Sequence, residues 1–308
     1  MYRADNTILA KWAPCAAAAS ARHTCGLRGK EPMLAAWTGN AFHAGLEVHF
    51  GGGNGLQGEG AFLNEYDRLI VAPGHVVDQE RLGRENCRRI FNHYCDTRTL
   101  EAFEVKHGKV VELERSVGIK VSDEFEFWMK RDMLVLGLDG MYYPWDNKTT
   151  GKVNQWWSGE FSMGSQMSGY CWGTGAERGT VCGGAYINAI EVGKLPDSKT
   201  QCKTHKMAYK ECALEHTNFQ VFYTGRTPAQ IAAWYSMACR LATKAIFHTK
   251  AYPTVEHLRF VPREGQFIYK ACSGCEFKKW CKLDWEPSMW SEFCVEERWE
   301  PWESAPQG

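Results

Sequence analysis

Net charge is the first thing missing from this 308-residue chain. Its 36 lysines and arginines are matched by 36 aspartates and glutamates, so bulk charge announces no polyanionic partner. Any such groove would be a local concentration of basic residues balanced elsewhere. Long apolar runs are missing too. The alanines from Ala16 to Ala19 fall far short of the roughly 20 residues a membrane-spanning helix needs. Lys11 interrupts the apolar stretch that follows Met1-Tyr2-Arg3-Ala4-Asp5, so a secretory signal is not expected and a cytoplasmic setting is. Gly51-Gly52-Gly53-Asn54-Gly55, with Gly58 and Gly60 behind it, has no Gly-Lys-Ser/Thr after it. It reads as a flexible loop, and an in-built nucleotide-driven motor is excluded. No internal repeat and no linker divides the chain.

Cysteine, by contrast, is abundant. Thirteen is both high and odd, which fits a disulfide framework poorly and points to metal or cluster ligation for some of the thiols. The strongest local pattern is Cys272-Ser273-Gly274-Cys275, followed by Cys281. Three thiolates this close can converge on one centre and leave one position to be filled from elsewhere, for zinc or for an iron–sulfur cluster. Cys87, His93 and Cys95 match no zinc spacing and read as ordinary residues of a helix over 80–100.

The hydrophobic period changes along the chain. Trp37 to Phe50 carries apolar residues at helical spacing. Val110–Leu113, Val117–Val121 and Phe125–Trp128 read as consecutive antiparallel strands, and Met133–Leu136 forms a hairpin with Met141–Tyr143 across Gly137-Leu138-Asp139-Gly140. Ser162 to Thr174 reads as a helix, and Ala185–Ile190 and Phe219–Tyr223 as strands. Thr227-Pro228-Ala229-Gln230 combines an N-cap, an N1 proline and a capping-box glutamine, which starts a helix running to about Phe247. The stretch from Lys194 to Lys210, with Lys199, Lys203, His205 and Lys206, reads as a solvated basic loop, with a DNA-facing role as the alternative.

Chemistry gathers around the hairpin. Asp146 and Lys148 share a strand face because side chains alternate. Pairing Leu136 with Gly140 brings Asp132 to that face, whereas a two-residue loop over Leu138-Asp139 would separate them. Two carboxylates and a lysine together suit a hard cation with the lysine beside a reacting water or phosphate, although Asp-x-Lys alone is a common surface pair. Gln166 and Tyr170 lie one turn apart on the following helix and can point at one place. His43 and Glu47 are likewise one turn apart.

Taken in order, these elements resemble the RecB/AddB-like branch of the PD-(D/E)XK nuclease superfamily, which includes CRISPR-adaptation and phage exonucleases with iron–sulfur clusters. The resemblance rests on Gly39-Asn40-Ala41-Phe42-His43, Asp132, Asp146-Asn147-Lys148, Gln166-Met167-Ser168-Gly169-Tyr170 and the closing Cys272, Cys275, Cys281. Asp139 competes with Asp132 but sits in the turn. Cys15 stands where the family's first cysteine does, with Cys25 in reserve.

The resemblance implies an α/β fold with a restriction-endonuclease-like core, a mixed central sheet flanked by helices, its N- and C-terminal segments joined by a [4Fe-4S] cluster on Cys15, Cys272, Cys275 and Cys281. The implied partition is residues 1–104 as an N-terminal helical region, 105–250 as the nuclease core and 251–308 as the cluster-binding segment, all one integrated domain. It implies Mg²⁺ or Mn²⁺ on His43, Asp132, Asp146 and the Asn147 carbonyl, with Asp132, Asp146, Lys148, Gln166 and Tyr170 as catalytic residues. The implied substrate is DNA with a free end, cut in recombination, repair or phage DNA processing in a bacterial or phage-infected cell. A separate helicase or single-strand-annealing protein would be the partner, with no membrane involved. The rival readings are an inactive cluster- or zinc-stabilised DNA-binding protein and a redox-sensing cluster protein.

Overall fold

The computed structural model of the chain describes residues 1–302 apart from positions 79, 163, 198, 269, 299 and 301, with backbone only at 155, 156 and 158. In chain order the elements are β1 (Tyr2–Ala4), α1 (Asn6–Trp12), α2 (Ala16–Ala19), β2 (Leu27–Gly29), α3 (Leu34–Phe50), α4 (Gly55–Tyr66), α5 (Arg84–Thr97) and α6 (Leu100–His107). There follow β3 (Lys109–Lys120), β4 (Phe125–Leu136), β5 (Tyr142–Thr150), α7 (Gln155–Ser162), α8 (Ser165–Arg178), β6 (Gly184–Glu191) and β7 (Phe219–Gly225). The chain closes with α9 (Pro228–Ala251), α10 (Lys278–Cys281), α11 (Trp290–Phe293) and β8 (Cys294–Glu296).

A mixed sheet forms the centre, flanked by helices on both faces. β3, β4 and β5 make an antiparallel meander, β6 runs parallel to β5, and β7 returns antiparallel to β6. The four short strands expected over 110–136 are two long ones. The charged residues that looked like breaks are mid-strand, and their partners come from other elements. Arg131, for example, meets Glu112 on β3 and Glu177 on α8. Leu136 pairs with Tyr142, neither of the two registers weighed from the sequence, but one with the parity that puts Asp132 and Asp146 on one face.

One edge of β4 is shared. Phe125–Phe127 pair with β1 in parallel and Met133–Leu136 pair with β5, so residues 128–132 have no strand partner on that side. At the same place the strand changes faces. Phe125, Phe127 and Met129 belong to the core under α1, α8 and α9, whereas Met133 and Val135 belong to the core under α3, α4 and α5. Strict alternation would keep all five odd residues together, so the alternation slips within 130–132. Glu114, opposite this slip, has a φ of +45°, a conformation few non-glycine residues adopt.

The glycine-rich segment is not a loop throughout. Asn54 accepts from Gln57 N–H while Gln57 bonds back to Asn54 N–H, a capping box that starts α4 at Gly55. Its glycines let α4 lie directly on α3: a Cβ at Gly45 would sit 3.0 Å from the Gly58 carbonyl. α9 starts with the expected Thr227–Gln230 box, and α8 starts at Ser165 rather than Ser162. The two ends of the chain meet through protein contacts. β2 pairs with β8, Lys11 meets Glu276 at 3.2 Å, and Ala16 N–H donates to Glu264 at 2.8 Å. Among the described residues no helix is long and apolar enough to cross a membrane.

Candidate active site

The gap in the β4 edge has to be filled, because buried backbone groups need partners. Tyr170 Oη on α8 donates to the Lys130 carbonyl at 2.7 Å. Asp132 Oδ2 accepts the Asn147 N–H at 2.6 Å, in place of a further ladder bond. The two side chains that close the fork thus come from the Gln-x-x-x-Tyr helix and from the motif aspartate. Gln166 Nε2 completes the set, donating to Tyr170 Oη at 2.9 Å and reaching Asp146 Oδ1 at 3.5 Å.

His43 projects from α3 toward the same place. Its Nδ1 lies 3.4 Å from both Asp132 Oδ2 and Glu114 Oε1. The ligand atoms of His43, Glu114 and Asp132 all lie within 4.8 Å of one another, at the floor of a cavity of about 760 Å³ that Gln166 and Tyr170 also line. Asp146 is 1% exposed. Lys148 Nζ bonds its Oδ1 at 3.0 Å and lies 2.8 Å from its Oδ2, at an angle that leaves the buried Oδ2 without a hydrogen bond. The three convergent ligand atoms of His43, Glu114 and Asp132 fit a hard divalent cation, while Asp146, outside that tight group, is ion-paired with Lys148.

Electrostatics point the same way. Burial pushes the Asp132 carboxyl up, with Asp146 and Glu114 adding to it against the pull of His43 and Lys148. Burial opposes the charged form of His43, but Asp132 and Glu114 outweigh it and hold the imidazolium up to about 9. Burial likewise opposes charge on Lys148, and the Asp146 and Asp132 carboxylates keep it above the ordinary lysine value. Burial and both aspartates raise Tyr170 well above the usual phenol range, so it is the neutral donor its bond to Lys130 requires. The proton on His43 and the cationic Lys148 offset charge that a bound cation would otherwise offset.

The structure therefore gathers His43, Asp132, Asp146, Lys148, Gln166 and Tyr170. Asn147 contributes its backbone, since its side chain faces away and bonds Asn188 at 2.8 Å. Asp139 stays in the turn, bonded to Tyr143 at 2.6 Å. Glu114 is the residue sequence reasoning missed. It lies between two segments read as separate strands, in the polar stretch Glu112-Leu113-Glu114-Arg115-Ser116, where nothing local sets it apart.

The cysteine triplet lies at a separate cavity. Cys272, Cys275 and Cys281 line one cavity of about 300 Å³ together with Cys15, and Cys25 is not among its lining residues. These thiols do not form one of the tight donor groups within 4.8 Å found among the described residues. Four thiols lining one cavity are a donor set that suits zinc or an iron–sulfur cluster alike.

A mixed sheet with carboxylates and a lysine gathered at a strand fork defines the class of α/β enzymes that handle a divalent cation and a phosphate. A family model of the PD-(D/E)XK nuclease superfamily matches residues 7–282, and the chain belongs to that superfamily. Its nucleases cut phosphodiester bonds with Mg²⁺ or Mn²⁺. The match takes in every motif from Cys15 to Cys281. No curated protein matches the chain.

Proposed function

We propose that the chain is a DNA exonuclease of the RecB/AddB-like branch, acting on DNA with a free end, its fold clamped by a [4Fe-4S] cluster on Cys15, Cys272, Cys275 and Cys281. The observation that carries the reading is the meeting of His43, Asp132, Asp146 and Lys148 at one fork, which Tyr170, bonded by Gln166, helps to close. Asp132, Asp146, Glu114, His43 and the Asn147 carbonyl would hold the cation. A divalent cation there supplies Lewis acidity that lowers the pKa of a water and offsets charge on the scissile phosphate. Lys148, the cation nearest Asp146, orients that water or meets the charge that develops on phosphate. Gln166 orients the Asp146 carboxylate, and Tyr170 fixes the strand that carries Asp132. His43 would have to be neutral to ligate the cation. The cluster's role is structural, adding to the β2–β8 pairing that already joins the ends. The three sequence segments act as one integrated domain in the cytoplasm, with DNA as partner and any helicase or single-strand-annealing protein as a separate chain.

The test is digestion of end-labelled linear and closed circular DNA, single- and double-stranded, by anaerobically purified protein with Mg²⁺ or Mn²⁺. Wild type is expected to degrade linear DNA only, and Lys148→Ala to lose that activity by a factor of roughly 10² or more. A brown, iron-loaded protein that binds DNA and cuts none of the four substrates would replace the exonuclease reading with the inactive binding protein.

A further inference from the structure

β6 and β7 are antiparallel neighbours, yet residues 192–218 separate them. Such connections usually span 2–5 residues, and a long one without its own core needs another source of order. This one has little apolar interior. Among its described residues the buried side chains beyond Val192 are Cys202, Cys212 and Ala213, and both thiols are free. Its backbone is nevertheless definite. Cys202 N–H bonds the Met207 carbonyl at 2.7 Å and Tyr209 N–H the Thr200 carbonyl at 3.0 Å, closing a tight turn around His205. A short helical turn over Leu214–His216 then places His216 four residues after Cys212.

Four donor atoms converge inside these two turns. Cys202 Sγ lies 3.7 Å from His205 Nδ1 and 3.5 Å from His216 Nε2, and Cys212 Sγ lies 3.4 Å from the same His216 Nε2. All four donors are within 4.8 Å of one another. A tetrahedral ion with Zn–S near 2.3 Å and Zn–N near 2.05 Å sets its sulfur and nitrogen ligands about 3.6 Å apart, in agreement with all three distances. One imidazole nitrogen approached by two thiols is also more than a thiol–imidazole pair needs. The set Cys-x₂-His-x₆-Cys-x₃-His is complete in soft and borderline donors, with no carboxylate and no open position, which selects zinc in a structural role.

We propose that Cys202, His205, Cys212 and His216 bind one structural Zn²⁺ that folds the β6–β7 connection, separate from both the fork and the Cys15 cavity. The ion replaces the missing hydrophobic core and fixes the backbone that carries the exposed Lys199, Lys203, Lys206 and Lys210.

The full chain, purified from zinc-replete medium and dialysed against a weak chelator, would be analysed for zinc and iron by elemental mass spectrometry. The wild type is expected to retain about one zinc per chain. Cys202→Ser/Cys212→Ser should lose that equivalent with iron unchanged, and trypsin should then cut after Lys203 or Lys206 at least about tenfold faster. His216→Ala, at an exposed position, covers the case in which the double variant fails to fold. With Co²⁺ in place of zinc it should lose the wild type's visible tetrahedral spectrum. Equal zinc in wild type and variants, no zinc in the wild type, or a Cys202–Cys212 disulfide by intact mass would each overturn the assignment.

Discussion

Titrating Mn²⁺ into the metal-free protein across pH 6 to 9 measures how far His43 and the cation compete. In the metal-free fork the Asp132 and Glu114 carboxylates overcome burial and hold the imidazolium up to about 9, against an ordinary value of about 6.5. A cation needs the neutral ring. At pH 7 only about one molecule in a hundred offers it, and at pH 8 about one in ten. Apparent affinity should therefore tighten roughly tenfold from pH 7 to 8, about 1.4 kcal/mol, and flatten above pH 9. Below pH 7 the slope steepens further, because burial also raises Asp132 and the pair titrates as a unit. An unperturbed histidine would give almost no change above pH 7. Calorimetry in two buffers of different ionisation enthalpy reads the same event as about one proton released per Mn²⁺ near neutral pH. His43→Gln should bind more weakly at pH 9 and lose the slope between 7 and 9. Stability follows the matching sign. A raised folded pKa stabilises fully below about 6.5 and the benefit is lost as pH rises through about 9, so the metal-free melting temperature should fall over that window while the metal-loaded one holds. A flat affinity with no proton release, or the same slope in His43→Gln, would refute the argument.

Three substitutions test the scaffold around the fork. Arg131 is 1% exposed and lies 2.6 Å from both Glu112 and Glu177. Arg131→Met removes the buried cation of a cluster in which Arg115 and Arg178 also reach both carboxylates, and should cost roughly 1–3 kcal/mol in urea unfolding; a loss below about 0.5 kcal/mol would mean the cluster behaves as surface charge. A Cβ at Gly169 would fall 2.1 Å from Asn6 Nδ2 and 2.8 Å from the Trp234 ring. Gly169→Ala should therefore cost about 1–3 kcal/mol by overpacking, and adding Asn6→Ala should recover part of it; strict additivity would show that the contact is not the cause. Tyr170→Phe removes the donor to the Lys130 carbonyl and the acceptor for Gln166. It should cost about 1–3 kcal/mol and lower kcat with the pH profile unmoved, whereas a displaced profile would make Tyr170 a proton-transfer group.

Local signals were legible and long-range ones were not. The Thr227–Gln230 box and the α3 periodicity around His43 are written in a few adjacent residues, and the structure keeps them; the hairpin parity is open in the sequence and is settled by the Leu136–Tyr142 pairing. The fusion of short strands into β3 and β4 was hidden, because Glu114 and Arg131 look like loop residues until α3, α8 and the neighbouring strand supply partners. The glycines of α4 looked like a loop for a similar reason: their value is the close approach to α3, which no local pattern encodes. The Cys202–His216 spacing was present in the sequence but began inside the lysine-rich stretch that ends at Lys210. There the charge drew attention away from two Cys–His pairs whose separations, two and three residues, are those of metal ligands.

The fork explains why weak motifs become a site. β4 shares one edge between β1 and β5, and the unpaired stretch between them demands hydrogen-bond partners whatever the protein does. Tyr170 and Asp132 meet that demand, which draws α8 and the hairpin to the same point and gathers the carboxylates Glu114, Asp132 and Asp146 in a small buried volume. Such a cluster is costly unless its charge is offset. Lys130, Lys148 and the proton on His43 offset it in the metal-free chain, each by a bond that can be exchanged. A divalent cation bound as proposed would displace the proton on His43 and loosen Lys148 from Asp146, without rebuilding the sheet. The stability of the fork and its proposed affinity for metal would then follow from the same three positive charges.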